Sequence, residues 1–166
     1  MEQLSKQGYS INISSCANCW VKNVESYMAG DGHVRLRDSS ACEIRDSYFH
    51  EAHVYSSGEG YGIFVFDRNS DHLIENNIVY KTRHSLVFEG GGSGVVFGYN
   101  YAKDVTSNDP EWLHGDADTH GAHPYMNLFE GNIFAKLAFD NTWGSSSHNT
   151  AFRNHIVREA EFAEYG

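Results

Sequence analysis

Acidic side chains follow several short apolar segments of this chain at corresponding places. Asp67, Glu89 and Asp140 each come directly after a Val-Phe or Ala-Phe pair, and His120 closes the segment between the last two. If these segments stack as coils, Asp67 and Glu89 lie about 5 Å apart, and Glu89 and Asp140 about 10 Å. Retaining glycosidases hold two carboxyl groups about 5 Å apart, and inverting ones roughly 6.5–9.5 Å. The pattern predicts a catalytic set of Asp67, Glu89, His120 and Asp140, against the alternative of acids that only end strands in polar turns.

A second group of chemically capable residues lies in the polar stretch Thr106–Tyr125. Asp116, Asp118 and His123 carry carboxylate and imidazole donors within a few residues of one another. Such donors suit Zn²⁺ or another transition metal, and the two acids alone favour Ca²⁺. The sequence therefore predicts a divalent metal site here, and a solvated acidic loop is the alternative.

Aromatic side chains near the same stretches are candidates for binding sugar rings. Trp112 lies in the polar stretch, Trp143 in a Gly/Ser-rich turn, and Tyr61 at the end of a shorter polar segment. An aromatic face in a groove offers a large apolar surface to a ring. These three residues are predicted to bind substrate, with burial under loops as the alternative.

The elements that position these residues follow from a repeat. Six segments share an apolar anchor residue followed by a charged residue or Gly and a turn residue, with anchors at Val21, Ile44, Ile74, Phe97, Phe129 and Phe152. The intervals are 23, 30, 23, 32 and 23 residues, so a basic period of 23 carries two insertions. A fixed period in this range indicates a solenoid with loops inserted into individual repeats.

Composition decides which solenoid the repeat builds. Short alternating strand segments and turn residues dominate, and helical periodicity is absent. We predict an all-β fold, a parallel β-helix of about six coils in a single domain, with inserted loops at 51–61 and 106–125 that project from the same side. Stacking predicts an Asn ladder of left-handed corner residues at Asn77, Asn100 and Asn132. It also predicts an apolar core column of Tyr48, Ile78, Tyr101, Ile133 and Ile156.

The segment 18–24 (NCWVKNV) resembles the coils of pectate-lyase-like right-handed β-helix proteins of the pectin-lyase superfamily. The likeness continues through the Gly90–Gly92 turn, the GYNY segment at 98–101, the stretch 124–132 and the stretch 143–154. This resemblance implies a right-handed helix, a secreted or cell-surface location and a polysaccharide partner. Lyases of this fold use Arg or Lys as the base and often bind Ca²⁺, which makes Arg83 a further catalytic candidate.

Charge and hydropathy exclude other classes of protein. The formal net charge of -10 argues against a nucleic-acid partner, and no apolar run is long enough to span a membrane. The first residues are polar and do not read as a signal peptide. Cys16 and Cys19 have CxxC spacing but lack the further ligands that zinc needs. Cys19 and Cys42 should stack, and we expect buried free thiols there, with a disulfide as the alternative.

Two functions from different classes remain open at this point. One is a polysaccharide hydrolase or lyase that acts in a groove beside the predicted catalytic set of Asp67, Glu89, His120 and Asp140. The other is a non-catalytic glycan-binding or structural β-helix module, either complete or a fragment of a longer solenoid, that self-associates through uncapped coil ends.

Overall fold

The structure is a computed structural model that describes residue 2 and residues 7–108 and 115–157. Within these residues the chain forms strands and no helix, and so contains no helix that is long and apolar enough to cross a membrane. In chain order the strands are β1 (Tyr9–Ser14), β2 (Trp20–Lys22), β3 (Glu25–Ala29), β4 (Gly32–Ser40), β5 (Glu43–Arg45), β6 (Tyr48–Ala52), β7 (Tyr61–Ser70), β8 (Leu73–Glu75), β9 (Ile78–Tyr80), β10 (His84–Glu89), β11 (Val96–Gly98), β12 (Tyr101–Lys103), β13 (Ala117–His120), β14 (Leu128–Glu130), β15 (Ile133–Phe134), β16 (Leu137–Ala138), β17 (Thr150–Phe152) and β18 (His155–Ile156).

The strands form three sheets of six strands each, and every pairing between them is parallel. Sheet one has the order β1-β4-β7-β10-β13-β16, sheet two β2-β5-β8-β11-β14-β17, and sheet three β3-β6-β9-β12-β15-β18. The chain therefore visits the three sheets in turn and then moves one strand along each of them. This order confirms the predicted parallel β-helix.

Five of the six predicted anchors form one inward-facing column of sheet two. They are buried and pair in register in the order Val21, Ile44, Ile74, Phe97 and Phe129. The sixth anchor is wrong, because Phe129 pairs with Ala151 while Phe152 pairs with Glu130. The last interval is therefore one residue shorter than predicted, which turns Phe152 outward and leaves it 52% exposed.

The core lies between the three sheets and is closed by aromatic contacts. Phe97 stacks on Phe129 with ring centroids 5.1 Å apart, and Phe88 meets Phe97 edge-on at 5.0 Å. Burial of each such ring contributes about 1.5–3 kcal/mol.

The predicted apolar column of sheet three faces outward instead of into the core. Ile78 and Tyr101 pair in register and are 48% and 40% exposed. The neighbouring residues Val79 and Ala102 occupy the core. Because successive side chains of a strand alternate between faces, an assignment one residue off exchanges the two faces of the sheet.

The Asn ladder is present between sheets two and three. The side chain of Asn100 donates to the Ile74 carbonyl at 2.9 Å, and its Oδ1 accepts from both the backbone and the side chain of Asn77 at 3.0 Å. Asn132 repeats this pattern on Asn100, and Asn154 repeats it on Asn132. These residues are not left-handed, because the positive φ falls one residue earlier, as at Tyr99 (φ 55°). The ladder is therefore built by side-chain amides that cap buried peptide groups.

Both inserted loops leave the corner between sheets three and one, as predicted. The first joins β6 to β7, the second joins β12 to β13, and Asn108 N donates to Tyr55 O at 3.3 Å between them. The second loop is shorter than predicted, because residues 117–120 form β13.

Cys19 and Cys42 occupy equivalent positions of neighbouring coils, as expected, because each comes directly before the paired residues Trp20 and Glu43. Cys16 and Cys19 form a disulfide, and Cys42 is a buried free thiol. The expectation of a free thiol is thus confirmed for Cys42 and wrong for Cys19.

We expect Asn100→Ala to lower the free energy of unfolding by about 1–2 kcal/mol, because it leaves the Ile74 carbonyl and the Asn77 amide without partners. Chemical denaturation measures this loss. Asn141→Ala, at an exposed position, is the matched control and should stay near wild type. Equal midpoints for the two variants would remove the ladder as a source of stability.

Candidate active site

Strand β13 presents two polar side chains on the outer face of sheet one. Ala117 belongs to the hydrophobic core, so alternation directs Asp118 and His120 outward. Asp118 pairs in register with Ala138, which places His120 opposite Asp140 of the next coil. His120 Nδ1 and Asp140 Oδ2 lie 2.5 Å apart. The three polar side chains therefore meet because neighbouring coils are in register.

Asp118 has an unusual environment among these residues. It is only 9% exposed, and its Oδ1 has no hydrogen-bond partner among the described residues. Burial raises the pKa of Asp118 from 3.8 to about 6, and the charge of Asp140 adds to the rise. A carboxyl group with such a pKa can carry a proton near neutral pH and release it during a reaction.

Asp140 is held in place from two sides. Its Oδ2 contacts His120, and its Oδ1 accepts a hydrogen bond from Thr142 N at 3.2 Å. Donor atoms of Asp118, His120 and Asp140 all lie within 4.8 Å of one another. The arrangement joins an oriented carboxylate and imidazole to a buried carboxyl group.

These groups lie in a cleft of about 220 Å³. Its wall includes Ser57 and Tyr61, from the first inserted loop and the start of β7, together with Arg83 and Trp143. The Arg83 guanidinium donates to the Tyr61 hydroxyl at 3.3 Å. Trp143 is 70% exposed and meets the His120 ring edge-on at 6.1 Å. The cleft thus combines acid–base groups, a fixed cation and an open aromatic face.

The structure brings together most of the residues predicted for catalysis, but not Asp67. Glu89 pairs with His120 on one side and with Phe66 on the other, so Asp67 lies one residue past this column. Asp67 has a positive φ of 59° and accepts from Arg37 Nε at 3.1 Å. The reason is that β7 continues beyond this residue while β10 ends at Glu89, so equivalent strand ends are not in register.

The predicted metal set is not assembled as a group. Asp116 is fully buried, and its Oδ2 accepts from Ala135 N at 2.6 Å and Lys136 N at 3.2 Å. His123 lines a separate open groove beside the Gly90–Gly92 turn. Asp118 instead joins His120 and Asp140. Trp112, predicted to bind substrate, lies outside the described residues.

One buried residue on the outer face of sheet one escaped the sequence analysis. Phe64 faces outward in the same row as Asp118, since both pair with Val87, yet it is only 6% exposed because the rings of Tyr9 and Tyr61 stack against it at 5.9 and 5.0 Å. A signal was present in the unbroken apolar run Ile63–Phe66. Such a run indicates a strand covered on both faces, whereas alternation indicates one covered face.

Comparison with known proteins agrees with this architecture. A family model described as a right handed beta helix region matches residues 2–110. No curated protein and no solved structure matches the chain significantly. Asp118, His120 and Asp140 all lie beyond the matched residues, so the match concerns the scaffold and not these side chains.

We expect Asp118→Asn to stabilise the fold at neutral pH, and less so as the pH falls. The unfolded carboxyl ionises near pKa 3.8 and the folded one near 6. Ionisation of the folded chain therefore costs stability increasingly between about pH 4 and 6 and fully above that range, and Asn avoids this cost. Melting temperatures of the variant and the wild type across this range measure the difference.

The matched control is Asp38→Asn. Arg68 Nε donates to Asp38 Oδ1 at 2.8 Å, and this hydrogen bond lowers the pKa of Asp38. The control should therefore lose rather than gain stability at neutral pH. A pH-independent difference between Asp118→Asn and wild type would contradict the assigned cost.

Proposed function

The chain belongs to the family of right-handed β-helix proteins, and we propose that it is a carbohydrate-active enzyme that hydrolyses a polysaccharide in the cleft on sheet one. The observation that carries this proposal is the buried Asp118 carboxyl, which lines a cleft beside Asp140 and an exposed Trp143 and whose Oδ1 has no hydrogen-bond partner among the described residues. An unsatisfied buried carboxyl oxygen costs stability, which supports a role in binding or catalysis.

The two carboxyl groups have different roles in this proposal. Protonated Asp118 is the general acid that gives its proton to the leaving glycosidic oxygen. Asp140, oriented by His120 and the Thr142 amide, attacks the anomeric carbon. Their donor atoms lie within 4.8 Å, which is closer than the roughly 6.5–9.5 Å that leaves room for an inverting water. The proposed reaction therefore retains configuration, and Asp118 then accepts a proton from the water that releases the sugar.

The remaining cleft residues are assigned to substrate binding. Trp143 offers its exposed ring to a sugar face, and Tyr61 and Arg83 offer donors to sugar hydroxyls or a carboxylate. Because the chain carries a formal net charge of -10, a strongly anionic polymer would be repelled. We therefore expect a neutral or weakly acidic glycan, encountered outside the cell.

A lyase reaction in the same cleft is less well supported. Elimination needs a base that removes a proton beside a uronate carboxylate. A guanidinium group has no acceptor for a proton, and burial raises the pKa of Tyr61. Neither group can serve as the general base of an elimination, whereas Asp118 can serve as the general acid of a hydrolysis.

A calcium ion, which the pectate-lyase resemblance implies, does not fit this cluster. Calcium takes six to eight oxygen ligands, whereas the cluster offers two carboxylates, one of which already contacts an imidazole. Two carboxylates and one imidazole are closer to the preference of Zn²⁺ or Mn²⁺. Activity is therefore measured both with EDTA and with each of these ions added.

We expect the purified chain to release reducing ends from members of a glycan panel, with kcat/KM falling as the pH rises through about 6, because Asp118 then loses its proton. Asp118→Asn should lower kcat/KM at least about 100-fold, and Asp67→Asn, outside the column, should leave it near wild type. A parallel assay for ultraviolet-absorbing unsaturated products separates elimination from hydrolysis. Glycan binding without either product would favour the non-catalytic module.

We expect Trp143→Ala to weaken glycan binding roughly 5- to 10-fold through the loss of ring stacking. Trp20→Ala is a matched control, since Trp20 is similarly exposed, at 72%, but lies on sheet two. Calorimetry with the best-bound glycan gives both affinities. If the two variants lose affinity equally, or neither loses any, Trp143 is not part of the binding site.

A further inference from the structure

The cysteine side chains converge at the corner between sheets one and two. Cys16 and Cys19 lie in the turn between β1 and β2, and Cys42 lies in the equivalent turn of the next coil. One ligand atom from each lies within 4.8 Å of the others. Three sulfur atoms from two coils therefore surround one point.

The backbone on each side of this point is fixed by pairing between the coils. Ser40 N donates to Cys16 O at 2.9 Å, and Glu43 N donates to Cys19 O at 2.9 Å. Cys16 N donates to Ser39 Oγ at 3.1 Å. Thiol groups on these segments are thus held near one another whether or not the disulfide is closed.

We propose that the reduced protein binds one soft metal ion, of the class of Zn²⁺, Cd²⁺ or Cu⁺, through Cys16, Cys19 and Cys42. Thiolates at a metal–sulfur distance of about 2.3 Å around a shared ion lie roughly 3.8–4.0 Å apart. The three sulfur atoms lie within 4.8 Å of one another with the disulfide closed, and opening it frees the Cys16 and Cys19 side chains to rotate apart toward that spacing. Soft thiolate ligands select this class of ion over Ca²⁺ or Mg²⁺.

Burial gives the site one closed side and one open side. Cys42 is 1% exposed and faces the core, whereas Cys16 and Cys19 are half-buried toward the surface. An ion would enter past the CxxC pair and meet Cys42 last. Three protein ligands leave one coordination position open to water or a small molecule.

The oxidation state controls access to this site. With the Cys16–Cys19 disulfide closed, only Cys42 carries a free thiol. A phosphine reductant and one water convert the disulfide to two thiols and a phosphine oxide. Binding of a divalent ion to the three thiols then releases three protons. The site is separate from the cleft, because three coil steps, roughly 14 Å, lie between β4 and β13.

The test is a cadmium titration of the full chain, reduced with a phosphine under inert gas and followed by thiolate-to-cadmium ultraviolet absorbance. We expect one Cd²⁺ per chain, displaced by Zn²⁺, and protection of three thiols from an alkylating reagent. Cys42→Ser should weaken binding by at least about 10- to 100-fold. The oxidised wild type should show no thiolate–cadmium band.

A second variant, Cys16→Ser, separates loss of a metal ligand from loss of the folded structure. Cys42 is buried, so its replacement can disturb folding, whereas Cys16 is half-buried and Cys16→Ser should keep the wild-type circular dichroism spectrum. It must weaken binding to the same extent. The proposal fails if either variant binds Cd²⁺ as tightly as reduced wild type, if the stoichiometry differs from one, or if the oxidised protein gives the same band.

Discussion

The structure depends on satisfying the peptide groups that each corner of the β-helix buries. At the corner between sheets two and three, Asn77, Asn100 and Asn132 each cap a carbonyl of the preceding coil and accept from its amides. A second column precedes sheet two, where Asn127 bonds to Val95 N at 3.0 Å and His72 accepts from Cys42 N at 3.0 Å. These backbone groups are buried away from solvent, so the capping side chains must be in place to satisfy them. That requirement fixes the register of neighbouring coils and therefore of the strands in all three sheets.

This constraint also decides where the candidate site can be. Two corners carry capping columns, whose hydrogen bonds between coils require the capping residues themselves to stay in register. Both inserted loops leave from the third corner, between sheets three and one, and touch through Asn108 and Tyr55. The first of them contributes Ser57 to the cleft on the outer face of sheet one, where Asp118, His120 and Asp140 project from successive coils. The connection between sheets one and two also varies, from two residues between β4 and β5 to eleven between β16 and β17, and the longest of these connections supplies Trp143 to the cleft.

The sequence allowed the repeat, the parallel sheets, the ladder and the position of the loops to be predicted, because a period is visible without coordinates. A repeat period does not show which face of the sheet each residue lies on. A left-handed residue such as Asp67 shifts the register of its strand by one residue, and the hydrophobic pattern does not reveal that shift. For this reason Glu89 pairs with Phe66 and not with Asp67. The same one-residue error exchanged Ile78 with Val79 and Phe152 with Ala151. The proximity of Asp118 to Asp140 was missed because it depends on register across coils, in which Asp118 pairs with Ala138.

Asp116 and Asp118 are two residues apart and both buried, but their carboxyl groups differ in hydrogen bonding. The carboxylate of Asp116 accepts two backbone amides of the following coil, so it replaces the hydrogen bonds that water would make and supports the fold. Asp118 is also buried, but one oxygen lacks a partner, and burial raises its pKa to about 6. Nearly every other buried polar side-chain atom of the described residues has a hydrogen-bond partner, and a single Asn or Ser nearby could donate a hydrogen bond to Asp118 Oδ1 as well. The structural role that explains the buried Asp116 carboxylate therefore does not extend to Asp118, and this difference is why the proposed function rests on Asp118.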